Sequence, residues 1–261
     1  MTVRYWLRIL FSKRTWMRPH SRARDLPLPH GKTKLPPLTE SCMKLSSPEN
    51  LLELADSMTK DTSSSTAKRA MVLSCLIMGG AGQFVEKLQW DREGILEGSQ
   101  RYLRDTNLDV ITAEAIVWIH FLLEQFWFAD RKKDHEMSEL IGHGTFRLAF
   151  ELTLGIIEKL TGCDFRARWI ESRKLYLEAM KERGRSSEPF ATAMLRSVGC
   201  RSLAEPLKTV GPLSFSLEWT PLTVHVSLFF SHMPSAFYET FKRFLIGWSD
   251  RFPLDDDFDD D

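Results

Sequence analysis

Apolar residues recur with helical rather than strand spacing along most of this chain, and the pattern divides it into successive amphipathic segments. The run Ser46-Ser47-Pro48-Glu49 reads as a helix entry into residues 51–58, with Ser47 as N-cap, Pro48 as the first helical residue and Glu49 in the first turn. The polar cluster at 62–66 is placed to cap a second segment, 67–78, which Gly79-Gly80 and Gly82 are expected to end. Residues 89–104 carry Ile95, Leu96 and Leu103 among charges, with Asp91 placed to cap them. The stretch 108–128 is the most apolar of all. Over 111–128 hydrophobic side chains cover most of a helix circumference, which marks either the centre of a bundle or a membrane span. Glu114, His120, Glu124 and Gln125 decide for the bundle, because a charged side chain near a span's centre costs about 2.5–3.5 kcal/mol.

Residues 135–160 place Phe146, Phe150, Leu154, Ile157 and Leu160 on one stripe, weakened early by Gly142 and Gly144 and closed by Thr161-Gly162. Residues 164–183 put Phe165, Trp169, Tyr176 and Met180 at helical spacing, and Ser187-Glu188-Pro189 starts another helix that stops at Gly199. The last third changes character. Alternation over 214–219 and the β-branched run 223–230, separated by Thr220-Pro221-Leu222, leave room for a short β-hairpin. Pro234-Ser235 opens a final amphipathic helix with Phe237, Phe241, Phe244, Leu245 and Trp248 on one side, suited to dock on the bundle.

Charge refines this picture at the two ends. The chain of 261 residues has net charge zero, yet residues 1–45 hold ten Lys/Arg against two acids, net +8, while 250–261 hold seven Asp against one Arg, net −6. The segment 1–24 contains no acid and resembles an organellar transit peptide in composition; an anion-binding surface helix and a true start at Met43 or Met58 are the other two readings. Prolines 19, 27, 29, 36 and 37 make 19–40 an extended linker, so the arm is expected to add little burial and its removal up to residue 42 to leave stability unchanged. Cysteines 42, 75, 163 and 200 match neither a zinc clip nor a dense disulfide framework and read as free thiols in a reducing compartment.

Candidate chemistry is sparse. The run 71–78 followed by Gly79-Gly80-Ala81-Gly82 has the look of a phosphate-binding turn, but Val85 stands where a dinucleotide fingerprint needs glycine, and Gln83-Phe84 where a P-loop needs Lys-Ser/Thr. No G-x-S-x-G elbow exists. The most specific constellation is His120 with Glu124 and Glu139 with His143, each pair one helical turn apart on consecutive helices. In an antiparallel hairpin turning between 131 and 132, residues at equal depth have numbers that sum to 263, as both 120 with 143 and 124 with 139 do. His and Glu on facing helices are how bundle metal sites are built. The competing reading is a His hydrogen-bonded to a facing Glu, or a pair exposed near a loop.

The expected fold is predominantly α, a multi-helix bundle-like domain over 47–249 with room for the hairpin, between a basic arm at 1–46 and an acidic tail at 250–261. The leading expectation of function is a non-enzymatic helical interaction or regulatory protein with a protein partner and no cofactor. Its alternative is a bundle enzyme using a divalent transition metal at His120, Glu124, Glu139 and His143. A membrane-surface or organelle-targeted role is third, with nucleic acid or anionic membrane reached only through the basic arm and no transmembrane span. The cytoplasm is the expected compartment, or an organelle if residues 1–24 are a targeting peptide.

Overall fold

Two consecutive prolines open the first helix, and neither can cap it with a side chain. A computed structural model of the chain describes residues 36–47, 50, 57, 64–90, 107–125, 135–183, 196 and 200–206. Five helices run through them: α1 (Pro37–Leu45), α2 (Ser65–Trp90), α3 (Leu108–Glu124), α4 (His135–Thr161) and α5 (Arg166–Arg183). α2 packs against α1, α3 and α4, and α3 packs against each of the other four. No helix among the described residues is long and apolar enough to cross a membrane. Five helices and an apolar core confirm the α-helical reading, whereas the segments at 51–58 (residue 57 apart), 91–104, 187–195, 214–230 and 234–249 lie outside the described residues.

α1 corrects the expected linker over 19–40 and shows that the bundle begins inside the supposed arm. Nine residues are too few for an isolated helix to hold in water. Tertiary contacts supply what the sequence lacks. Leu38, Cys42 and Leu45 are buried in the core. With Pro36 at the N-cap making no side-chain bond, Asp109 at the start of α3 accepts the backbone N–H of Thr39 at 2.8 Å and its hydroxyl at 2.8 Å. The acid therefore caps α1 from seventy residues away, where the helix dipole favours negative charge. Thr39 Oγ1 also lies 2.9 Å from Thr112 Oγ1, tying α1 to α3 a second time. Removing residues 1–42 would strip Leu38, Thr39 and Cys42 from this packing, which overturns the expectation of unchanged stability.

α2 brings a second correction, because Gly79-Gly80 and Gly82 lie within it rather than ending it. The N-terminal expectation holds: Ser64, within the polar cluster at 62–66, accepts the Ala67 amide at 3.3 Å. The glycines persist in the helix because α1 lies directly on them. A Cβ on Gly82 would stand 2.0 Å from the carbonyl oxygen of Cys42, and one on Gly79 would stand 2.7 Å from that of Leu45. Each glycine costs its helix about 1 kcal/mol relative to alanine. Burial of Leu38 and Leu45 returns about 1.5–3 kcal/mol apiece, so the packing wins.

α3 is buried on nearly every side, as its apolar circumference predicts, and Asn107 caps it by accepting the Asp109 amide at 2.9 Å. Asn107 also receives the late chain: its amide N–H donates to Cys200 O at 2.9 Å and its side chain to Arg201 O at 3.0 Å. α4 breaks at Gly142, whose φ of 66° and ψ of 152° suit glycine and few other residues, so the weak spot in the sequence is a true interruption. Beyond it Phe146, Leu154 and Ile157 face the core, and Gly162 closes the helix at φ 69°, as expected.

The glycine contact makes one substitution carry opposite signs at two places. Gly82→Ala forces a methyl into a backbone carbonyl that cannot rotate away, and should cost about 1–3 kcal/mol in a urea titration. Gly155→Ala, on the exposed side of α4 with nothing within 4 Å, should gain about 0.5–1 kcal/mol. Equal effects at the two positions would refute the close approach of α1.

Candidate functional site

Polar chemistry inside the bundle concentrates where α5 crosses α3. On α5 the positions 169, 172, 173 and 176 follow the spacing i, i+3, i+4, i+7 and form one stripe. They place Trp169, Ser172, Arg173 and Tyr176 against α3. Glu114 of α3 is fully buried, and both of its carboxylate oxygens are engaged: Ser172 Oγ donates to Oε2 at 2.9 Å and the Tyr176 hydroxyl donates a short bond to Oε1. Trp118, one turn along, stands edge-on to Tyr176 at 4.8 Å and stacks on Phe121 at 5.7 Å. The abundant aromatics of α3 thus serve the core at these two positions.

Electrostatics at Glu114 are a contest between burial and hydrogen bonding. Removal from water pushes its carboxyl above the ordinary range, while the Tyr176 bond, the Arg168 charge and the Ser172 bond pull it back only in part. Tyr176 is pushed well above its ordinary value by burial and by the neighbouring acid, so it stays protonated and remains a donor. Arg168 is itself turned to the chain's later part, donating from Nη1 to Glu205 O at 2.9 Å. This arrangement is a latch joining α3 to α5, since each oxygen of the acid already holds a donor.

Of the four residues of the sequence-derived metal constellation, three have described side chains, and these differ in their surroundings. His120 is buried in an aromatic cage, with its ring 4.2 Å from Phe146, 5.5 Å from Phe150 and 5.1 Å from Trp169 between centroids. Glu124, half-buried, pairs with Arg173 of α5 at 2.5 Å. His143 is exposed, just past the break at Gly142, and the side chain of Glu139 lies outside the described residues. His120 therefore faces Phe146 and Phe150 where equal-depth counting put His143. The count assumed two unbroken helices, and α4 is interrupted at Gly142. Among the described residues no group of three or more His, Cys, Asp or Glu is arranged to hold a metal ion.

The cage holds His120 neutral. Burial lowers its imidazole to about 3, the Arg173 charge adds to the effect, and the Phe146 backbone opposes it weakly, lying near the ring without forming a well-shaped hydrogen bond to either nitrogen. The thiols of Cys42 and Cys75 are likewise pushed far up by burial, Cys75 to about 12, which leaves them inert as nucleophiles at neutral pH. Sequence reasoning missed Ser172 and the role of Glu114. An acid in the most apolar stretch, and a serine inside the stripe that already held Trp169 and Tyr176, were the available signals.

Two pH dependences of opposite sign follow. A raised carboxyl means the folded chain keeps a proton that the unfolded chain gives up, so Glu114 costs stability as pH rises from the ordinary carboxylate range to its raised value. Glu114→Gln removes that slope, and its stability relative to wild type should climb across this window in urea titrations at stepped pH. For His120 the unfolded chain takes up a proton below about 6.5 that the folded chain refuses until about 3, so stability falls as pH drops through that interval. His120→Phe should flatten this acid limb whatever its effect at pH 7; an unchanged limb would place the ring in water. No protein-family model, no curated protein and no solved structure matches the chain, so its functional reading rests on these residues themselves.

Proposed function

We propose that this chain is a non-enzymatic helical interaction protein, and that the outer side of α5 is its contact surface. The observation that carries this reading is the two-sided character of that helix. Trp169, Ser172 and Tyr176 are buried against α3, while Ile170 is 60% exposed and Leu177 37% exposed on the opposite side. With Ala167 and Lys174, both exposed, they fall at 167, 170, 174 and 177, the 3-4-3 spacing by which one helix receives another. The occupant that fits is an amphipathic helix with matching apolar spacing and an acid opposite Lys174. The interior supports the reading: Glu114 spends both carboxylate oxygens, and Asp109 and Glu124 one each, on neighbouring helices, and His120 is shut in an aromatic cage.

A second copy of the chain is a poor occupant on electrostatic grounds. Antiparallel self-pairing of α5 would bring Glu171 beside Glu171 of the other copy, and parallel pairing would set Lys174 against itself. Selection of displayed helical peptides against the full chain tests the proposal. Peptides with 3-4 apolar spacing and an acid in register with Lys174 should be enriched, and Ile170→Asp with Leu177→Asp should weaken them at least tenfold without lowering the thermal midpoint. Retention of binding by the double variant would overturn the assignment.

A further inference from the structure

Charge along α5 is as ordered as its apolar side. With Ala167 and Lys174 taken as a positions and Ile170 and Leu177 as d positions, Arg166 and Arg173 fall at g on one edge and Glu171 and Glu178 at e on the other. The two edges differ in what already holds them. Arg166 pairs with Glu151 of α4, and Arg173 pairs with Glu124 of α3 at 2.5 Å, so the bundle itself neutralises the basic edge. Glu171, Lys174 and Glu178 are all exposed, and among the described residues none of them makes an ion pair. Lys174 precedes Glu178 by four positions, the weaker order for such a pair on one helix. The outer side of α5 is thus an apolar line carrying one cation, bordered on one edge by two uncompensated carboxylates a heptad apart.

We infer that the helix received by α5 belongs to a partner protein and is basic along one edge, with Lys or Arg facing Glu171 and Glu178 and an acid between them facing Lys174. The inference rests on reading that side of α5 as a contact surface, and adds the charge by which the surface selects its occupant. In paired helices the e and g side chains set partner choice, and a single polar residue at an a position fixes register. On α5 the g cations are already spent on Glu151 and Glu124, so selection falls to the e edge and to Lys174. Two carboxylates there repel a helix with an acidic edge, and they repel an anionic lipid surface for the same reason. A second copy fails on the same ground, because it brings its own acid, cation, acid series rather than the complement. The spacing of that series, three positions from Glu171 to Lys174 and four from Lys174 to Glu178, defines the register that the partner's base, acid, base series must match.

Titrating two labelled synthetic helical peptides with the full chain, read by fluorescence anisotropy, tests this. Both peptides carry leucine at the a and d positions except where they meet Lys174. One has lysine at the edge positions facing Glu171 and Glu178 and glutamate facing Lys174; the other has these charges inverted. The basic-edged peptide should bind about tenfold tighter at low salt, and the gap should close at about 1 M salt, where exposed charges are screened. Glu171→Lys with Glu178→Lys should reverse the order of the two peptides. If that double variant has a lowered thermal midpoint, Glu171→Gln with Glu178→Gln should instead shrink the gap at least threefold. Equal binding of both peptides, weakened by Ile170→Asp with Leu177→Asp, would leave the contact surface standing and overturn the charge selection. Binding of neither peptide would overturn the contact surface and the inference together. Flotation of the full chain with phosphatidylglycerol vesicles, abolished by Ile170→Asp with Leu177→Asp, would put a lipid surface on α5 and overturn the inference as well.

Discussion

The architecture depends on the close approach of α1 to α2, where backbone carbonyls of Cys42 and Leu45 fill the space that side chains on Gly82 and Gly79 would need. A nine-residue helix has too few internal hydrogen bonds to persist alone, so α1 exists because α2 offers it a surface without side chains. Once seated, α1 presents Thr39 to Asp109 and Thr112, which fixes the start of α3 relative to α2. Asn107 then holds the backbone of residues 200 and 201 at the same end of α3. Ser74 and Thr153 close the remaining side, their hydroxyls 2.8 Å apart between α2 and α4. These polar contacts are made within the bundle, which offsets the cost of taking the groups out of water.

At the opposite side of α3 the same constraint gives a different outcome. Glu114 would be prohibitively placed in an apolar interior by itself, and α5 answers with a serine and a tyrosine one turn apart. The geometry that satisfies the acid also sets the rotation of α5 about its own axis. With Ser172 and Tyr176 turned inward, Ile170 and Leu177 have to turn outward. The exposed stripe is thus a consequence of the buried latch. Arg166 and Arg173 reinforce that rotation from either edge, Arg166 through paired bonds to Glu151 and a position 5.6 Å over the Phe150 ring, Arg173 through Glu124. The Arg166–Glu151 pair is exposed and contributes little by itself.

The buried acid and the buried imidazole answer to pH in opposite directions for one reason. Burial penalises whichever form is charged, so it raises Glu114 and lowers His120, and both rest nearer neutrality than they would in water. The core thus holds both groups close to neutral. It uses them as shape-determining contacts, His120 as a flat ring among Phe146, Phe150 and Trp169, and Glu114 as a doubly held acceptor.

Periodicity alone made α3, the stripe of α4 from Phe146 to Leu160 and the inward residues of α5 legible, because these depend on which side of a helix is apolar, and spacing reports that directly. The cap at Ser64 and the close at Gly162 were legible for the same local reason. What spacing cannot report is which surface a helix meets. Prolines at 36 and 37 imply an extended chain until Asp109 arrives to cap them, and Gly79 and Gly82 imply a stop until α1 lies across them. His120 and His143 share a depth in a straight, unbroken hairpin, but α4 is interrupted at Gly142 and it is Phe146 and Phe150 that pack against the imidazole. Only the tertiary structure decided these positions, because a glycine, a proline or a buried acid takes its meaning from the atoms brought against it, and those come from residues far away in the chain.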